Sequence, residues 1–100
     1  MTPSIRRLLE TALYCDDIAR TAAFYQQLLG RAPMLESERL VAFDAGEATV
    51  LLIFRRGHAQ ALSTVGGLVP GHDGNGPVHL AFAIDRTDLP PWESRLESLG

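Results

Sequence analysis

One strand–helix unit occurs twice in this chain, at an offset of 69 residues. Glu10 aligns with His79, Ala12 with Ala81 and Asp16 with Asp85. The second unit then carries two extra residues, Arg86 and Thr87, after which Asp17-Ile18 aligns with Asp88-Leu89. Both units close on Leu-Gly, at Leu29-Gly30 and Leu99-Gly100. Matches in order, with matching element types, imply a duplicated module. The first unit continues through three strand candidates in residues 31–55, whereas nothing follows the second helix. The expectation is therefore a second module truncated after its helix, with sheet edges left open. The chain is then a fragment, or another chain supplies the strands.

Local patterning fills in the elements. Residues 7–15 alternate, with Leu9, Thr11, Leu13 and Cys15 on one face and Leu8, Glu10, Ala12 and Tyr14 on the other. Asp16-Asp17 supplies an N-cap. Ile18, Ala22, Tyr25 and Leu29 then form a helical stripe that ends at Gly30, the place of a C-terminal capping glycine. Strands are expected at 34–38, 40–44 and 49–55, with a hairpin turn at Asp44-Ala45-Gly46-Glu47 joining the last two. Residues 56–77 read as a long loop, which holds six of the nine glycines and whose length marks it as functional or mobile. Val78–Asp85 alternates as a strand, with Val78, Leu80, Phe82 and Ile84 opposite His79, Ala81 and Ala83. Asp88 is placed to cap a second helix with Pro90-Pro91 in its first turn and Leu89, Trp92, Leu96 and Leu99 as its stripe. The fold class expected is α+β with a mixed sheet. The 100 residues form one domain, divided into a first module (about 7–55), a flap loop (56–77) and the start of a second module (78–100).

Composition removes several functions. With 46% apolar and 21% charged residues the chain suits a compact globular domain. A single Cys excludes an internal disulfide and CxxC sites. The nine basic residues are all Arg, so there is no Schiff-base or P-loop lysine. They are scattered among twelve acids, which argues against a nucleic-acid face. The longest apolar runs are five residues, far short of the roughly 20 of a membrane span. No apolar stretch follows Arg6-Arg7, so no signal peptide is read and a cytoplasmic protein is expected.

A few residues stand out as candidates. Glu10 shares a strand face with Ala12 and Tyr14, and a carboxylate on a buried face needs a partner or a metal. On an exposed face it is merely polar. His79 is flanked by the small Ala81 and Ala83, which leave room beside it, although a lone strand His is commonly a hydrogen-bonded core residue. His72, in Pro-Gly-His-Asp-Gly, could be carried over a pocket by a closing flap as acid or base, or be a solvated loop His, as His58 could. Tyr14, Phe43, Leu52, Phe54 and Trp92 are candidate pocket walls, which core packing explains equally well. Cys15, beside Leu9 and Leu13, reads as a buried structural thiol. Arg55-Arg56 could meet an anion or be a solvated strand end.

Glu-Thr-Ala-Leu-Tyr-Cys-Asp-Asp-Ile (10–18), Ala-Phe-Tyr-Gln-Gln-Leu-Leu-Gly (23–30) and Gly-Pro-Val-His-Leu-Ala-Phe-Ala-Ile-Asp (76–85) together resemble the vicinal oxygen chelate superfamily. That superfamily holds glyoxalases, bleomycin-resistance proteins, extradiol dioxygenases and fosfomycin-resistance enzymes. The resemblance spans about residues 8–100. It implies paired βαβββ modules whose sheets curl around a metal, with a ligand near the start of each module's first strand. Here those positions are Glu10 and His79, with Glu10 standing where the family usually has His. A further carboxylate is expected from a last strand beyond Gly100. With the resemblance, Glu10 and His79 are read as metal ligands, a donor set that suits Fe(II), Mn(II), Ni(II) or Zn(II). The resemblance further implies a homodimer and a metal-dependent lyase or dioxygenase acting on a small oxygenated molecule. The alternative is a metal-free binder of an antibiotic-type compound, using Tyr14, Phe54 and Trp92 as stacking surfaces and Glu10 as a counter-charge. A third reading is an inactive fragment that keeps the fold's first module.

Overall fold

The computed structural model describes residues 2–100. Its elements are β1 (Glu10–Cys15), α1 (Ile18–Leu29), β2 (Leu35–Glu36), β3 (Leu40–Gly46), β4 (Thr49–Arg55), β5 (Leu62–Thr64), β6 (Gly67–Val69) and α2 (Leu89–Leu99), the last entered through a 3-10 turn at Arg86–Asp88. The first four strands make one mixed sheet in the order β1-β4-β3-β2. β1 runs parallel to β4, from Glu10 opposite Val50 to Cys15 opposite Arg55, and the other two pairings are antiparallel. Residues 10–55 thus form the expected βαβββ module, and the α+β class with a mixed sheet is observed.

Helix α1 forms where its signals are. The Asp17 carboxylate accepts from the Arg20 amide at 3.1 Å, and Gly30 adopts φ 68° at the other end. Its stripe of Ile18, Ala22, Tyr25 and Leu29 lies on one face of the sheet, against Val41, Phe43, Leu51 and Ile53. Leu13 and Cys15 of β1 join this core. Phe43 and Ile53 are fully buried, and each such side chain contributes about 1.5–3 kcal/mol by leaving water. Helix α2 lies against α1, with the Arg95 guanidinium donating to the Gln27 carbonyl.

Burial raises the Tyr25 phenol above its ordinary pKa. Ionising it therefore costs more in the folded chain than in the unfolded one. The stability it contributes is full below pH ~10 and lost as pH rises through the folded value. Urea midpoints should fall on going from pH 9 to pH 11, and Tyr25→Phe should remove that part of the fall.

Four local expectations need correction. The turn between β3 and β4 falls at Glu47-Ala48, two residues later than read, with φ of 48° and 62°. Two successive positive values mark a type I′ hairpin turn, whose twist matches the strands but which favours Asn-Gly. Both residues here carry a Cβ in left-handed backbone, a cost of order 1 kcal/mol. The double substitution Glu47→Asn/Ala48→Gly should raise stability by about 1 kcal/mol and Tm by about 4–8 °C. A thermal melt checks this. Second, residues 56–77 are not loop throughout. β5 and β6 pair there as an exposed hairpin whose Thr64 hydroxyl donates to the Gly67 carbonyl at 2.8 Å.

Third, the strand expected at Val78–Asp85 makes no ladder with any described residue. Alternation alone does not form a strand; a neighbour must accept its hydrogen bonds. Its apolar residues Val78, Phe82 and Ile84 accordingly stay exposed. Fourth, Asp88 precedes α2 without a side-chain capping bond. Residues 86–88 wind as a 3-10 turn instead, and the Asp88 amide donates to the Asp85 carbonyl at 2.9 Å. Among the described residues no helix is long and apolar enough to cross a membrane.

Candidate functional site

The sheet has two unlike faces. Odd-numbered residues of β1 and β4, among them Leu13, Leu51 and Ile53, face α1. Even-numbered ones face away from it, and the register sets Glu10 beside Val50, Ala12 beside Leu52 and Tyr14 beside Phe54 on this open face. Glu10 is exposed at its start, Tyr14 and Leu52 are half-buried, and Phe54 is buried at its far end. Three of the five expected pocket residues, Tyr14, Leu52 and Phe54, therefore share one surface.

Phe43 does not. A β-bulge between Asp44 and Gly46 shifts the β3–β4 register by one residue. An unbroken ladder from the Gly46–Thr49 pair would set Phe43 opposite Leu52. The bulge sets it opposite Leu51, on the helix face, where it is 0% exposed. Phe43 is a core residue rather than a pocket wall. Trp92 also lies elsewhere. It lines a groove of about 370 Å³ formed with Leu28, Leu29, Phe82, Ile84 and Leu96.

The most structured part of the open face is aromatic. Tyr14 and Phe54 stack with ring centroids 5.9 Å apart. His72 from the glycine-rich segment stands edge-on to both, 5.6 Å from Tyr14 and 4.4 Å from Phe54. The Tyr14 hydroxyl and His72 Nδ1 are 2.7 Å apart, hydrogen-bonded. His72 thus reaches the sheet and is held there, while remaining partly in solvent. His58 is exposed in the same segment, its Nδ1 3.1 Å from the Arg56 carbonyl.

Arg56 is the residue that sequence reasoning undervalued. Its guanidinium pairs with Asp16, donates to the Gly74 carbonyl at 2.9 Å and reaches the Tyr14 carbonyl at 3.3 Å. It is a clasp joining β1, β4 and the 71–74 segment, not a solvated strand end. The useful signal was Asp16-Asp17 directly after β1, but exploiting it needs the parallel β1–β4 pairing, which brings residues 40 apart together. Cys15 is half-buried against the core, with its Sγ 3.6 Å from the Phe54 carbonyl.

Glu10 and His79 occupy corresponding places in the two units. Glu10 opens β1, and His79 lies in the unpaired segment just before Leu80. Leu8 and Thr11 on one side, and Leu80 and Ala81 on the other, line a shared cavity of about 380 Å³. Glu10 and His79 are themselves exposed and do not line this cavity, whose wall includes Ala45, Leu51 and Leu80 of the α1-facing core. One carboxylate and one imidazole suit a borderline divalent cation chemically. No group of three His, Cys, Asp or Glu side chains converges among the described residues, and no hydrogen bond or ion pair joins Glu10 to His79 there.

A family model described as Glyoxalase/Bleomycin resistance protein/Dioxygenase superfamily matches residues 7–100. Among solved structures, the crystal structure of lactoylglutathione lyase from Agrobacterium tumefaciens superposes with a TM-score of 0.79 at 31% identity. The superposition takes in 98% of this chain and 72% of that one. No curated protein matches the chain.

Proposed function

Because this chain belongs to the Glyoxalase/Bleomycin resistance protein/Dioxygenase superfamily, we propose that it is a divalent-metal-dependent enzyme acting on a small oxygenated molecule at the open face of its sheet. The observation that carries this reading is the β1–β4 register, which lines Glu10, Ala12, Tyr14, Leu52 and Phe54 along one surface that α1 does not cover. Glu10 and His79 would supply two ligands to Fe(II), Mn(II), Ni(II) or Zn(II), the remaining positions going to other ligands and to substrate. Such a metal supplies Lewis-acid polarisation of a bidentate oxygen substrate.

The chain's own residues would do the rest. Leu52 and Phe54 offer apolar surface that excludes water from one flank of the substrate. The Tyr14 hydroxyl orients an oxygen by hydrogen bonding. His72 is placed to take or give a proton at Nδ1, the atom now shared with Tyr14. In this reading residues 7–55 are a first module, 56–77 a flap and 78–100 the opening of a second. The unpaired 78–85 segment and the outer position of β1 in the sheet support assembly as a homodimer in which each chain completes its neighbour's sheet.

One specific observation favours a second reading. Tyr14, Phe54 and His72 already form a three-ring cluster, and such a surface can hold a flat or cationic compound without any metal. A metal-free antibiotic-type binder would use it with Glu10 as counter-charge. Metal content of the protein and of its Glu10→Ala and His79→Ala variants separates the two readings.

A further inference from the structure

Phe54 points away from α1, yet it is only 6% exposed. His72 stands edge-on over its ring, on a segment pinned to the sheet at several points. The Tyr14 hydroxyl bonds His72 Nδ1. Arg56 holds the Gly74 carbonyl. The His72 amide donates to the Ala59 carbonyl at 2.9 Å, and the Asp73 carboxylate accepts from the Gly57 amide at 3.2 Å. The Tyr14 ring packs so closely on Gly74 that a Cβ there would lie 2.5 Å from its Cδ2. Gly71 and Gly76 flank the pinned stretch, Gly76 at φ 88°.

These tethers are numerous but individually weak. Each is exposed or only partly buried, so its groups can exchange their hydrogen bonds for bonds to water. A covering held that way opens readily, which leaves roughly 0.1–10% of molecules open.

We propose that residues 71–74 are a latched lid across the Tyr14–Phe54 end of the open sheet face, with the Tyr14–His72 hydrogen bond as its catch. Opening uncovers the Phe54 ring and frees the Tyr14 hydroxyl and His72 Nδ1 together. The lid's role as a gate rests on the reading of that face as the ligand site; its existence does not. Tyr14 is then a positioning residue for the lid.

Amide hydrogen exchange on the protein without added ligand tests this. The probes are His72 and Gly57, whose amides are bonded across the closed lid, with the α1 amides as reference. Tyr14→Phe keeps the ring and removes the catch. Its expected effect is about tenfold faster exchange at His72 and Gly57 with α1 unchanged. His72→Phe, which keeps an edge contact to Phe54, should act in the same direction. Unchanged exchange at both probes, or equal acceleration in α1, would overturn the lid. Since no metal or substrate is involved, a failed metal-binding experiment leaves this result standing.

Discussion

Phe43→Ala is expected to lower stability by about 3–5 kcal/mol, the usual cost of emptying a fully buried phenylalanine site. The side chain is 0% exposed and packs among Val41, Leu51, Ile53 and the α1 stripe. Domains of this size have about 5–15 kcal/mol in all, so the variant should be partly unfolded at ordinary temperature if the parent lies near the low end. Phe43→Leu, which fills more of the space, keeps the comparison measurable. Leu52→Ala, on the half-buried open face, should cost markedly less. Urea midpoints of the three variants decide it. A Phe43→Ala loss below that of Leu52→Ala would place Phe43 outside the core and put the bulged register in error.

Glu10→Ala and His79→Ala have the opposite signature. Both residues are exposed, so either change should leave stability within about 0.5 kcal/mol. Losing groups that merely orient a ligand costs 10–100-fold in metal affinity, so losing a ligand itself should cost at least about tenfold. Each variant should therefore fold normally and carry little metal. Glu10→His, which restores the family's usual ligand type, should keep occupancy. Undiminished occupancy in both alanine variants would remove Glu10 and His79 from the site.

What could be read from the sequence is what is encoded locally. The Asp17 cap, the four-residue stripe and Gly30 lie within one short stretch, and α1 forms there as expected. β3 and β4 were legible because alternation and a turn signal sit side by side. The face occupied by Phe43 was not, because one bulge residue reverses the parity of everything before it. Val78–Asp85 alternates like a strand, but pairing depends on a neighbour that its own residues do not specify. In the candidate site, Tyr14, Leu52 and Phe54 were legible as strand residues of one parity. The Arg56 clasp and the His72 contact were not, since both arise from tertiary approaches between residues far apart in sequence.

Elemental analysis of gently purified protein, with native mass determined on the same sample, tests the central claim most directly. The predicted result is near-stoichiometric Fe, Mn, Ni or Zn on a particle with the mass of two chains. A metal-free protein that stays metal-free after reloading with Fe(II), Mn(II), Ni(II) and Zn(II) would contradict it.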